Sequence, residues 1–293
     1  MDGRNTTTTM EPHLNGRAPI DHTSFLKKYA RNLNLAAFSG EIDRGIGREQ
    51  ELKQLVTILS KRKKANPVLV GPPGTGKSQI VYDLAHTISD PSYKGPLLGK
   101  VIWEVSTTSI TAGCSLVGMI EERMQGLLNE AQTRPEVILF WDELHTIIGA
   151  GQGSNGHNDA ANIVKPALAG RHLSVIGATT DEEYLILQED KALNRRFNKL
   201  SVKELNDEQV IEVLKGIKLQ YERFHGIIFK DDIIPLIVDE SNKYSDIKQP
   251  DAAIDLLDTI GAMKKTTPDR WTTDGMNVSP EDIELGVELL YSL

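Results

Sequence analysis

The sequence predicts an α/β fold: a parallel five-stranded sheet flanked by helices, followed by a small helical domain. Three observations carry this. Short β-rich runs at residues 68–70, 101–105, 137–141, 173–178 and 200–202 alternate with helical patterns, as strands of a parallel sheet do. After about residue 206 the β-rich runs stop, and helical patterns follow at 207–219, 231–243, 250–264 and 280–290. The first strand-like run also leads straight into a glycine-rich loop that opens a helix.

Taken in order, residues 1–20 read as a disordered tail. They carry a Thr6-Thr7-Thr8-Thr9 run and scattered Gly, Asn and Pro, with no apolar segment of the secretory kind. Residues 21–43 read as a lead-in, with a short amphipathic helix (Phe25, Leu26, Tyr29, Leu33) and a glycine-containing turn. Residues 44–205 form the predicted large α/β nucleotide-binding domain. Within it, Leu52, Leu55, Val56 and Leu59 recur at helical spacing across 49–64. Lys61-Arg62-Lys63-Lys64 reads as the solvated last turn of that helix, where cations suit the dipole. Residues 206–293 form the predicted helical domain, in which Ser279-Pro280-Glu281-Asp282 is a helix start.

Composition narrows the class. The 293 residues are 39% hydrophobic and 25% charged, which is ordinary for a globular chain. A net charge of −8 argues against nucleic acid as a partner. A single cysteine, Cys114, excludes an intramolecular disulfide and fits a reducing, cytoplasmic setting. No apolar run approaches the roughly 18 residues of a membrane span.

The chemistry gathers around phosphate. Gly71-Pro72-Pro73-Gly74-Thr75-Gly76-Lys77-Ser78 fits G-x-x-x-x-G-K-[ST]. The glycines let successive backbone N–H groups turn inward, and the following helix adds partial positive charge. Lys77 can reach the terminal phosphates, and Ser78 can place its hydroxyl on Mg²⁺. The 137–141 strand ends in Asp142-Glu143, where strands of a parallel sheet meet the ligand crevice. An ATPase needs one acid there to hold Mg²⁺ through its water shell and a second to orient the attacking water. Asp142 fits the first role and Glu143 the second. Another strand runs into Thr179-Thr180, whose hydroxyl could hold that water or sense the γ-phosphate. Arg195-Arg196 is either a solvated charge pair or a pair of arginine fingers.

The ordered set resembles the first ATPase module of Clp-type AAA+ protein unfoldases and disaggregases. The stretches that carry the likeness include Ile46-Gly47-Arg48-Glu49, Asp142-Glu143-Leu144-His145, Asp159-Ala160-Ala161-Asn162, Lys165-Pro166-Ala167-Leu168-Ala169, Ile176-Gly177-Ala178-Thr179-Thr180, Leu193-Asn194-Arg195-Arg196-Phe197 and Pro250-Asp251-Ala252-Ala253-Ile254. The resemblance implies a P-loop AAA+ module with a helical lid, using ATP and Mg²⁺. It places Ile46, Gly47, Arg48 and Ile254 near the adenine and makes Thr180 the first sensor. It sends Arg195 and Arg196 into a neighbouring subunit's nucleotide, so that a homo-oligomeric ring of about six copies, promoted by ATP, belongs to the mechanism.

The sequence departs from the pattern at the pore loop. The family's substrate-gripping aromatic corresponds to Leu116, and the basic residue before it to Ser115. Two functions remain in view. One is a ring ATPase that unfolds or remodels protein, acting on unfolded or misassembled chains. The other is an ATP-regulated module that joins a larger Clp-type partner and modulates it. Trp141, just before the acid pair, is expected to be buried. The tail beginning at Met1 leans toward a complete short protein.

Overall fold

The computed structural model describes residues 24–114, 117–149, 159–169, 173–244, 247–266 and 276–291. The predicted tail and the pore-loop residues Ser115 and Leu116 lie outside them. In chain order, α1 (Phe25–Tyr29), β1 (Ala30–Asn32) and α2 (Leu33–Ser39) precede α3 (Glu49–Leu59) and β2 (Asn66–Val70). Then follow α4 (Lys77–Ser89), β3 (Val101–Val105), α5 (Thr107–Thr111), α6 (Val117–Thr133), β4 (Val137–Trp141), α7 (Leu144–Gly149) and α8 (Asp159–Ala169). The sheet domain closes with β5 (Ser174–Thr179), α9 (Asp181–Glu189), α10 (Lys191–Asn194) and β6 (Phe197–Ser201). The last four helices are α11 (Asp207–His225), α12 (Ile233–Tyr244), α13 (Asp251–Thr266) and α14 (Pro280–Tyr291).

The sheet order is β1-β3-β4-β5-β2-β6, parallel except for β1, which runs antiparallel to β3. This adds a sixth strand to the expected five. Residues 30–32 interrupt the helix expected over the lead-in, because Asn32 caps α2 by accepting from Leu35 N–H and Ala30 pairs with Val105. A three-residue edge strand leaves too short a pattern to read against helical neighbours.

Central strands bury both faces, which is why their sequences are continuously apolar. Along β4, Val137, Leu139 and Trp141 enter one core with Val68, Val70 and Val175. Ile138 and Phe140 enter the opposite core with Leu69, Ile80 and Leu84. Trp141 is fully buried, as expected, with its indole N–H lacking a partner. A third core, built from Val210, Leu214, Phe229, Ile237, Leu256 and Ile260, holds the last four helices together.

One expectation is corrected. The basic run at 61–64 is not the last turn of a helix: α3 ends at Leu59, with Ser60 as its C-cap. Lys64 adopts a positive φ of 53° and turns the chain into β2. Lys61 Nζ donates to Asn198 Oδ1 at 3.3 Å, and Asn198 Nδ2 donates to the Lys64 carbonyl, so the run is stitched to the edge strand.

Candidate functional site

Strand order builds the site. β5 lies between β4 and β2, so the phosphate loop, the acid pair and Thr179-Thr180 leave three adjacent strands at the same end of the sheet. Gly74 and Gly76 take φ values of 77° and 82°, which the curl of the loop requires. Gly71 is needed for a different reason: a Cβ there would lie 2.0 Å from the Val202 carbonyl oxygen.

Side chains then lock the loop. Thr75 is fully buried and its hydroxyl donates to the Pro72 carbonyl at 2.8 Å. Lys77 Nζ donates to the carbonyls of Gly71 (2.9 Å) and Pro72 (2.8 Å). Burial pulls the Lys77 pKa below its ordinary value, against the opposing pull of the Asp142, Glu183 and Asp181 carboxylates. Ser78 Oγ donates to Asp142 Oδ2 at 2.6 Å, joining the phosphate loop to the acid pair. This hydroxyl–carboxylate pair fits Mg²⁺, which keeps several waters and takes one or two protein ligands beside phosphate oxygens. Among the described residues no cluster of three His, Cys, Asp or Glu side chains offers a separate metal site.

Glu143 is exposed and stands in a left-handed backbone conformation, φ 52°, rare for a non-glycine residue. Its N–H donates to Asp142 Oδ1 at 3.0 Å, and its carbonyl accepts from both the N–H and the hydroxyl of Thr146, each at 2.8 Å. Such strain concentrates at functional sites and persists only where neighbours over-determine it.

Thr180 caps α9. Its hydroxyl accepts from Glu183 N–H at 3.3 Å, and Glu183 Oε2 accepts from Thr180 N–H at 3.0 Å, a capping box. The same carboxylate oxygen accepts from the Thr179 hydroxyl at 2.9 Å and lies 2.9 Å from His145 Nδ1. Burial pushes the Glu183 carboxyl up, but these hydrogen bonds and His145 outweigh it and hold it below the ordinary carboxylate range. Sequence reasoning did not single out Glu183 or His145 for any role. The signal for Glu183 was present as the Thr-x-x-Glu spacing of a capping box.

Arg48 is buried and held by three hydrogen bonds. Its guanidinium donates to the Thr75 carbonyl (2.7 Å), the Lys203 carbonyl (2.8 Å) and Glu51 (2.9 Å). It clamps the phosphate loop to the chain leaving β6. Gly47 needs its φ of 83°, and a Cβ there would press on Val213 at 3.2 Å. Ile46 and Ile254 are both partly buried against the helical core, and Gly216 admits the Ile46 side chain that any Cβ would displace. The helical domain also touches the phosphate loop: a Cβ on Gly74 would lie 2.9 Å from Asp251 Cβ. Burial, with Asp255 nearby, raises the Asp251 pKa.

The tandem arginines are elsewhere. Arg195 is exposed after α10, and Arg196 donates to the Ala192 carbonyl at 2.7 Å. Phe197 pairs with Asn66 at the start of β2, so both arginines stand at the opposite end of the sheet from the phosphate loop.

Comparison with known proteins identifies the family of both domains. Residues 67–205 match the ATPase family associated with various cellular activities (AAA), and residues 206–282 match the AAA lid domain. The ATP-dependent Clp protease ATP-binding subunit ClpE of Lactococcus lactis is 39% identical over 97% of this chain and 38% of its own length. The chaperone protein ClpB of Aquifex aeolicus is 44% identical over 84% of this chain and 24% of its own length. The Hsp104:casein complex of S. cerevisiae in its extended conformation superposes with a TM-score of 0.80 at 35% identity, over 92% of this chain and 45% of that one. The chain therefore spans less than half the length of these relatives. It belongs to the Clp-type AAA+ ATPases, enzymes that use ATP with Mg²⁺.

Proposed function

We propose that this chain is the ATP-hydrolysing module of a ring-forming protein remodeller. The observation that carries the reading is the separation between the phosphate site and the arginines. Asn66, level with Phe197, precedes Gly71 by the length of β2, roughly 17 Å at about 3.3 Å per residue. An arginine side chain does not span that distance, so Arg195 and Arg196 serve a phosphoryl group only if a neighbouring copy holds it.

Within one chain the contacts support the remaining roles. Backbone N–H groups of Gly74, Thr75 and Gly76, just after Pro72 and Pro73, cradle the phosphates, and Lys77 keeps a third N–H for a phosphate oxygen. Ser78 and Asp142 would hold Mg²⁺, which when bound would supply charge neutralisation at the phosphates. Glu143 orients the attacking water. The Thr180 hydroxyl, which accepts from Glu183 N–H, is the group that senses the γ-phosphate. Ile46 and Ile254 flank the base, while Gly47 and Arg48 fix the approach to it. Rotation of the lid through Asp251 and α13 transmits the state of the phosphate loop.

Unfolded or misassembled polypeptide is the substrate class and the cytoplasm the setting. The relatives' names as chaperones and protease subunits, and the casein in the Hsp104 structure, support this. Among the described residues no helix is long and apolar enough to cross a membrane. Leu116 takes the pore-loop role, gripping by apolar contact.

Size-exclusion chromatography with light scattering on Glu143→Gln, with and without MgATP, tests the reading. The expected result is a nucleotide-dependent closed ring of about six subunits. A monomer that persists with MgATP bound overturns the homo-oligomer and leaves assembly with a larger Clp-type partner.

A further inference from the structure

We propose that His145 and Glu183 are a brace that positions the acid pair against the sensor turn during ATP hydrolysis; the inference rests on the hydrolysis reading above. The starting point is that Glu183 does more than a helix cap requires. A capping box needs the exchange between residue 180 and residue 183. Here the same Oε2 that closes the box also takes the Thr179 hydroxyl at 2.9 Å and meets His145 Nδ1 at 2.9 Å. His145 Nδ1 lies 3.3 Å from that hydroxyl as well. One carboxylate oxygen thus ties together the end of β5, the start of α9 and the start of α7.

The start of α7 is where this matters. Glu143 holds a left-handed backbone two residues before His145, and that conformation has to be imposed by its surroundings. Three of the restraints act on the backbone or the core. Asp142 accepts the Glu143 N–H, Thr146 grips the Glu143 carbonyl, and Leu144 is seated where a Cβ on Gly177 would lie 2.5 Å from its Cδ2. Thr146 is itself fixed by the Thr107 hydroxyl at 2.6 Å. The His145–Glu183 contact is the restraint that fixes this turn relative to Thr180. It also places a carboxylate within the electrostatic reach of Lys77. With the brace in place, the water-orienting carboxylate and the sensor hydroxyl keep one spacing, as transition-state positioning demands.

Glu183→Gln separates this role from capping. Glutamine serves at the third position of a capping box, so α9 and the fold are retained. It cannot supply the negative charge that His145 and Lys77 face. The expected result for Glu183→Gln and for His145→Ala is a kcat about 10- to 100-fold lower, the usual cost of losing a residue that orients a catalytic one. KM for ATP and binding of a fluorescent ATP analogue stay within about twofold, and both variants remain folded, with melting temperatures only slightly lower. The double variant is no slower than the worse single one, because both remove the same contact. Hydrogen exchange at the amides of residues 143–146 accelerates in both single variants. The brace is overturned if kcat in Glu183→Gln stays within twofold of the parent, or if the two effects multiply. A parent chain without turnover would instead count against the hydrolysis reading. Exchange would then decide the brace by itself: unaltered protection at 143–146 refutes it, and accelerated exchange upholds it.

Discussion

At the carboxyl ends of β2, β4 and β5, nearly every polar side chain already has a partner: Lys77 on two carbonyls, Ser78 on Asp142, Thr180 and Thr179 on Glu183, and Arg48 on two more carbonyls. At the amino end of β6 the picture reverses. Arg195 is exposed, and among the described residues Arg196 holds only the Ala192 carbonyl of its own short helix. The first region is preorganised within one chain, so its cost of ordering is met during folding and binding of nucleotide does not have to supply it. The second is a pair of permanent charges left facing outward on a chain of net charge −8. On the proposed reading, a site whose parts are split this way is complete only when two copies meet.

The largest expected effect breaks that comparison directly. Replacing both Arg195 and Arg196 by Ala should lower kcat by about 10³- to 10⁵-fold, the usual worth of an arginine finger. Nucleotide affinity should hold. Mixing this variant with Lys77→Ala subunits should restore part of the turnover, because each then lends the other its intact half. Steady-state ATPase assays with a titration of the second variant check this, and a defect in nucleotide binding would show that the arginines serve their own chain. Next in size is Lys77→Ala itself. Losing hydrogen bonds from a charged donor should weaken ATP binding by about 1.5–3 kcal/mol, roughly 10- to 100-fold, read by titration calorimetry.

Arg48→Ala sharpens the preorganised side of the comparison. The clamp spans α3, the phosphate loop and the exit from β6, so its loss should cost about 1–3 kcal/mol of stability as two carbonyls lose their donor. Thermal unfolding should fall by several degrees, about 2–4 °C per kcal/mol, with a smaller effect on turnover at low temperature. An unchanged melting point would mean the loop needs no clamp.

The smallest effect concerns the other side. Asp190 caps α10, the helix that presents the arginines, and pairs with Lys165 at 2.6 Å. Burial raises its pKa, but the hydrogen bond from Lys165 and those from Leu193 and Ala192 N–H outweigh it and hold it below the ordinary value. Its contribution is therefore complete above the unfolded value of 3.8 and is lost as pH falls through the lower folded value. Asp190→Asn keeps a good cap and should remove that dependence. The parent should be slightly more stable above about pH 4, with the difference closing in more acid solution by denaturant titration.

What was readable in the chain and what was not divides along the same line. Strands 101–105 and 137–141 stand where the alternation placed them, and the second is the continuous apolar run that a fully buried parallel strand requires. The four final helices begin within a few residues of their expected starts, because polar caps and proline mark helix entry locally. The basic run at 61–64 misled, since charge spacing says nothing about where a helix yields to a turn and Lys64 adopts a backbone that most residues avoid. Arg48 was placed from resemblance near the base. Its guanidinium is committed to carbonyls that are distant in sequence, at Thr75 and Lys203, a pairing no local pattern displays.

The sequence by itself determined the phosphate loop and the acid pair. Their chemistry is carried by contiguous residues: backbone N–H groups that a glycine pattern turns inward, and carboxylates at the end of an apolar strand. Only the tertiary structure decided that β5 would separate β4 from β2, and that a short antiparallel strand would close the sheet's edge. It alone brought His145, 38 residues ahead of Glu183, onto that carboxylate and laid Asp251 over Gly74. These pairings join residues with no local signature. They are fixed by which apolar faces pack together and by where each buried donor finds an acceptor, and that is settled only when the whole chain has folded.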